Sequence, residues 1–346
     1  MRHAVGRSPD GTTACRHQRV KAALLLLALL LLVSCRVPGA VRPVVRIGLV
    51  APFEGRYRYV GYDVFPAVRL ALRQVNADGG VLGYAVELVA YDDGADPQMA
   101  REQARKLALD PQVVVAMGHF GTATTAAALP DYRTAGLPLV VPPSYEPAPP
   151  PDAGLFPLGA DAEALATALL DGLDEAVLIS EGGPLEMALR ARAGFPMAVV
   201  SPAEAASLAA ADPPVVLLDA DPVGAGEALA ALRAAGWRGE ARGGPALGAG
   251  DFAAVAGEAA QDVCFVAPWP SDEDTGFAAA YREVSGGPGP GPLAHPAYDA
   301  TLRVLEGLRA DIAAHGAPSR AGMMAALAAL WADQEPAAVE WYCVQQ

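Results

Sequence analysis

Hydrophobic positions follow two patterns along this 346-residue chain. Residues 22–33 form one unbroken apolar run, preceded by Arg2, Arg7, Arg16, Arg19 and Lys21 and followed by Ser34-Cys35. About 12 apolar residues are too few to cross the roughly 30 Å hydrocarbon layer as a helix, so residues 1–34 read as an export signal. From Val44 onward, short apolar runs alternate with stretches of helical period. The pattern predicts strands over 45–51, 85–91, 113–117 and 138–142, and helices over 65–75, 98–109 and 124–135. These strands are apolar on both faces, as in a parallel sheet covered by helices. The proline-rich stretch 142–151 cannot sit inside a sheet and reads as a crossover or hinge. A second series then predicts strands over 175–180, 197–201, 215–219 and 263–267, with helices over 161–173, 203–210, 224–235 and 251–261. Helices over 298–315 and 320–331 and a strand over 339–344 follow, and they need a surface to pack on. The economical arrangement is α/β: two doubly wound lobes joined by a multi-strand hinge, with a cleft between them. The expected partition is a leader over 1–34, a tether over 35–43, one lobe from 44–148 and 268–325, and a second from 155–267 and 332–346.

Charge narrows the possible partners. The net charge is −14, and removing the leader with its five Lys/Arg and one Asp takes it to −18. No later segment clusters Lys or Arg as phosphate binding requires, so nucleic acid is not an expected partner. About 312 residues remain after the leader, enough for two domains with their own cores. The tail Leu32-Val33-Ser34-Cys35 resembles the lipobox of bacterial lipoproteins. That resemblance implies acylation of Cys35 and tethering to a membrane, against a plain signal peptide or a short membrane helix. Cys264 and Cys343 lie in apolar, strand-like surroundings. An oxidising location permits a bridge between them; two buried free thiols are the alternative, because spacing does not give the Cα separation.

Further motifs run in a recognisable order: Gly48-Leu-Val-Ala-Pro52, Asn76-Ala-Asp-Gly-Gly-Val-Leu-Gly83, Tyr91-Asp-Asp93, Gly118-His-Phe-Gly-Thr-Ala-Thr124 and Gly136-Leu-Pro-Leu-Val-Val-Pro142. Phe277 with Tyr281, and Tyr298-Asp-Ala300 opening a helix, continue it. Over nearly all of the chain after the leader, this series resembles the extracytoplasmic solute-binding proteins of the leucine/isoleucine/valine type that serve ABC importers. The resemblance implies the type I periplasmic-binding-protein fold, a small-molecule ligand, ABC permease subunits as partners, a monomer, and no cofactor.

Residues alone place one candidate site. A strand ends at Met117, Gly118 turns the chain, and a helix opens at Thr122, so first-turn N–H groups and the Thr122 hydroxyl stand at the carboxyl end of a parallel strand. Such a helix start favours an anion or carboxylate, although Thr122 is also a normal helix cap. The resemblance implies ligand contacts from Gly121, Thr122 and Ala123, and from Ser144 and Tyr145 after the next strand. It also implies a second-lobe acid for a ligand ammonium, but here Gly243-Gly-Pro-Ala246 puts alanine at that position. Asp219 and Asp221 are candidate replacements, or else a turn and cap pair before Gly224. Tyr57, Tyr59 and Trp269 are candidate aromatic walls. No Gly-x-Ser-x-Gly elbow, P-loop or His-Glu-x-x-His helix is present, and His119, His295 and His315 stand apart in sequence, so neither catalysis nor a metal site is expected. The expected function is a lipid-anchored receptor that closes over a small polar solute, branched-chain amino acid-like, amide or carboxylate. The alternative is a sensing or structural lipoprotein of the same fold that no longer serves transport.

Overall fold

The computed structural model describes residues 42–268, 275–332 and 337–344. The leader, Cys35 and Trp269 lie outside the described residues. Among those residues, no helix is long and apolar enough to cross a membrane.

Two sheets carry the architecture. The first contains β1 (Val44–Ala51), β2 (Ala85–Asp92), β3 (Val113–Met117), β4 (Leu139–Val141) and β5 (Leu155–Pro157), all parallel in the order β2-β1-β3-β4-β5. All five residues of β3 and all three of β4 are buried, as strands covered on both faces must be. The second contains β6 (Val177–Ser180), β7 (Ala198–Val200), β8 (Val215–Asp219), β9 (Glu240–Gly243), β10 (Cys264–Ala267) and β11 (Glu340–Cys343), in the order β11-β10-β9-β8-β6-β7. Only β11 runs antiparallel, against β10.

Helix α1 (Arg58–Ala77) starts well before the expected residue 65 and buries Val60, Val64, Ala67, Val68, Ala71 and Leu72, the three- and four-residue spacing of one helical face. Its last turn is locked to β2, because the Asn76 side chain donates to Val86 O at 2.8 Å and accepts from Val86 N at 2.9 Å. The following turn requires glycine at 80: φ is +79°, and a Cβ would stand 2.0 Å from Tyr84 O. Next come α2 (Pro97–Leu109) and α3 (Thr122–Thr134); the second sheet carries α4 (Ala162–Leu170), α5 (Pro184–Arg192), α6 (Pro222–Ala234) and α7 (Gly250–Ala256). The segment Pro202–Ala210 is a 3₁₀ helix.

The late helices do return to the first sheet. Helices α8 (Thr275–Ser285) and α9 (Ala294–His315) pack on α1, and α10 (Arg320–Ala332) packs on α9 and against β3. The Arg320 guanidinium donates to the carbonyls of Ala108, Asp110, Val113 and Ala135, tying α10 to the ends of α2 and α3. One cation thus satisfies carbonyls at two helix ends and helps to hold the returning chain.

Further elements depart from the pattern reading, among them helix α8, where no helix was expected. Leu155–Pro157 pairs with β4, so the proline-rich stretch joins two strands of the same sheet, and residue 155, expected to open the second lobe, belongs to the first sheet. Proline is tolerated there because β5 is the sheet edge. Glu240–Gly243 and Pro184–Arg192 were not expected as strand and helix; they are only four and nine residues long.

Candidate ligand-binding site

A cleft of about 540 Å³ opens where the carboxyl ends of the two sheets face each other. Its walls come from segments that immediately follow parallel strands: Pro52 after β1, Asp93 after β2, Phe120–Thr124 after β3, Tyr145-Glu146 after β4, Glu181–Leu185 after β6, Asp219–Pro222 after β8 and Gly244–Ala246 after β9. This is where open parallel sheets place ligands, since helix starts and loops converge there.

The β3–α3 turn is built on Gly118, whose φ is +114° and whose Cβ would fall 2.0 Å from Val50 O. Below it, fully buried His119 contacts Asp93 Oδ2 through Nδ1 at 2.6 Å and the Tyr132 hydroxyl through Nε2 at 3.2 Å. The Thr125 hydroxyl donates to His119 O at 3.1 Å. His119 is therefore a strut of the turn rather than a solitary side chain; His295 and His315 likewise pair with Asp299 and Asp311. Gly121 occupies the cap position of α3 with extended backbone, and Thr122 is the first helical residue, so the Thr122 side chain does not cap its own helix. Its Oγ1 is buried without a hydrogen-bond partner among the described residues. The Thr122 N–H donates to Glu146 Oε2 at 2.6 Å, so a carboxylate of the chain itself lies at the helix start.

On the same wall three rings stand in a row. Tyr57 and Tyr59 have centroids 6.4 Å apart, and Tyr59 and Tyr145 have centroids 5.7 Å apart. Burial lifts the ionisation of all three phenols above the ordinary tyrosine value, so they are neutral hydroxyls. Ser144 does not line the cleft. It is buried, and its hydroxyl both donates to Glu146 O and accepts from Glu146 N at 3.2 Å, forming a tight local turn that aims Glu146 instead.

The opposite wall carries Asp219, Asp221, Glu181 and Ala246. Asp221 is engaged twice: its Oδ1 caps α6 by accepting from Val223 N at 2.9 Å and Gly224 N at 3.1 Å, and it pairs with Arg56 across the cleft. Asp219 accepts from the Ser180 hydroxyl at 3.2 Å. Burial pushes its carboxyl up to about 6 against the lowering effect of Ser180 and of the Glu186 N–H; Glu186 and Glu146 add like-charge repulsion. The candidate residues Gly121, Thr122, Ala123, Tyr145, Tyr59, Asp219 and Asp221 thus share one cleft, joined by Tyr57 and by Ala246. Glu146 and Glu181 were missed in the sequence. Glu146 sits 24 residues from the amide it meets, and only the β3–β4 pairing brings the two together.

A family model described as periplasmic binding protein matches residues 44–177 and 200–338, most of the chain. The chain belongs to the periplasmic binding protein family. A Leu/Ile/Val-binding protein of Escherichia coli is 27% identical over 103 residues, 30% of this chain and 28% of that protein. An amino acid binding protein of Pseudomonas aeruginosa is 30% identical over 101 residues, 29% of this chain and 27% of that protein. The matched part thus spans little more than a quarter of the length of that curated relative. Among solved structures, the branched-chain amino acid transporter substrate binding protein of Streptococcus pneumoniae in complex with isoleucine is similar, with a TM-score of 0.71 and 20% identity over 82% of this chain and 88% of that one. A solute binding protein of an R. palustris ABC transporter in complex with benzoate has a TM-score of 0.65 and 21% identity over 83% and 86%. These likenesses show the two-lobe type I periplasmic-binding-protein fold. Members of the family are solute-binding receptors, and membership implies an extracytoplasmic location.

Proposed function

We propose that this chain is a lipid-anchored extracytoplasmic receptor that binds a small polar solute in the cleft by hinge closure and delivers it to ABC permease subunits. The observation that carries this reading is the single cleft lined from both sheets by segments following parallel strands. Arg56 and Asp221 already join the two walls, the kind of contact that a hinge motion makes and breaks. The relatives' names, an amino acid binding protein and a transporter substrate binding protein, support a transported solute. The chain acts as a non-enzymatic monomer in this reading, and Gly121, Thr122, Ala123, Tyr59, Tyr145 and Asp219 contact the solute.

A thermal-shift screen of the full chain against amino acids, carboxylates, amides, amines and nucleosides tests the receptor role. A true ligand at a hundredfold excess over its Kd stabilises the native state by about 2.7 kcal/mol. Thr122→Ala removes the unpartnered hydroxyl and is expected to weaken that ligand roughly five- to tenfold, the value of one hydrogen bond. Small-angle scattering should show compaction on binding. A folded, ligand-free protein that answers to nothing in the screen would instead support the sensing or structural lipoprotein.

The anchor is tested separately. Expression with a clickable fatty acid should label the wild-type chain in the membrane fraction, and Cys35→Ser should lose the label and leave the membrane. A single acyl chain holds only weakly, so the several chains of a lipoprotein are needed for stable retention. Equal labelling of the variant would eliminate Cys35 as the anchor.

A further inference from the structure

Glu146 and the tyrosine row bear on which solute the cleft accepts, a question that rests on the receptor reading above. The first-turn amides of α3 are a natural seat for a carboxylate ligand, because unpaired N–H groups and the helix dipole both favour negative charge. That seat holds Glu146 Oε2, 2.6 Å from Thr122 N. The seat is locally built: the Ser144 hydroxyl brackets the Glu146 backbone on both its N–H and its carbonyl. An incoming carboxylate would have to expel Glu146 and then lie beside it.

The rest of the cleft repeats the same sign. Glu146, Glu181, Asp219 and Asp221 line it, with buried Asp93 held by His119. Among the described residues no Lys or Arg lines it; the adjacent Arg56 is paired with Asp221. Glu146 lines the wall of the first sheet, and Glu181, Asp219 and Asp221 line that of the second. Tyr57, Tyr59 and Tyr145 supply neutral aromatic surface in the same cavity, and Arg56 lies 5.8 Å from the centre of the Tyr57 ring, so a cation is already accommodated against this wall. Aromatic faces together with carboxylates are the chemistry that recognises organic cations. The buried, unpartnered Thr122 hydroxyl offers a further polar contact to an occupant.

We propose that the cleft takes a small organic cation, an amine or amidine without a carboxylate, with Glu146 occupying the helix-start amides in place of a ligand carboxylate and facing the ligand's charge together with Asp219 and Glu181. The solute class is therefore the charge inverse of isoleucine's carboxylate end or of benzoate.

Calorimetric titration of the full chain with four probes decides the matter: agmatine and isoleucinamide as cations, isoleucine as the zwitterion and benzoate as the anion. The expected result is that at least one cation binds tenfold or more tighter than isoleucine and benzoate. Its affinity should fall as salt rises, and Glu146→Gln should weaken it at least tenfold. Glu306→Gln, on the exposed side of α9, should leave it unchanged. Circular dichroism of each variant separates loss of binding from loss of fold. Tighter binding of isoleucine or benzoate than of either cation, with Glu146→Gln improving it, overturns the cation assignment and leaves the receptor reading intact. Binding of none of the four, together with an empty thermal-shift screen, overturns the receptor reading and the assignment that rests on it.

Discussion

Reduction of the Cys264–Cys343 disulfide, or Cys343→Ser, is expected to lower the stability of this protein by about 2–4 kcal/mol. The two cysteines are directly opposed in the β10–β11 pair and are 79 residues apart in sequence. Closing so long a loop removes much freedom from the unfolded chain, which is where a disulfide exerts most of its effect in the chain-entropy account. On the native side β11 is held by its ladder with β10 and by Trp341, whose ring centre lies 5.5 Å from the Arg242 guanidinium. The strand is a four-residue edge strand whose residues are all half-buried or exposed, with Tyr342 stacked on Phe265 at 5.5 Å. Urea unfolding of the oxidised protein, of the reduced protein and of the Cys264→Ser/Cys343→Ser double variant measures the effect. A midpoint shift equivalent to less than about 0.5 kcal/mol in all comparisons would show that β11 contributes nothing to global stability, as expected of a frayed edge.

The second large effect has the opposite sign. Asp219→Asn is expected to stabilise the protein at pH 7 by about 3 kcal/mol relative to its effect at pH 3, while weakening the ligand. The Asp219 carboxyl titrates near 6 in the folded chain against an ordinary value of 3.8, and each unit of such a shift is worth about 1.4 kcal/mol. A raised folded value means that the native state holds its proton more tightly than the unfolded chain does. The favourable contribution is therefore complete below about pH 4 and is lost as pH rises through 6. Asparagine carries no proton to lose and can still hydrogen-bond Ser180. Asp63 is raised to about 6 in the same way by burial, while Asp110, Asp152 and Glu204 are shifted down and act oppositely. For that reason the test is the difference between variant and wild type across pH 3–7, not the wild-type curve alone. A difference that stays flat over this range would show that Asp219 is not destabilised by its position in the cleft. A cost of this kind, kept on a cleft wall, is the usual signature of a group retained for binding.

Much of the architecture was legible because it depends on local pattern. Unbroken apolar runs such as 113–117 require burial on both faces, and the helical period between them requires covering helices, so a parallel two-lobe arrangement follows from chain order. Some very short elements were not legible. Glu240–Gly243 is a strand because β8 and β10 flank it, and Leu155–Pro157 because β4 offers an open edge. Intrinsic preference in so few residues is weaker than one sheet partner.

For the candidate site, the sequence alone determined where a helix start would stand, at Gly121-Thr122-Ala123 after a turn glycine, because backbone geometry after a strand is a local property. It also determined that alanine stands at 246, and it brought both Asp219 and Asp221 into consideration. Tertiary structure decided what those groups do. It put Glu146 on the Thr122 amide, turned Ser144 inward, assigned Asp221 to a helix cap and to Arg56, and joined Cys264 to Cys343. Each of these is a pairing between residues whose separation in space is set by strand order and sheet register, and sequence distance carries no information about either.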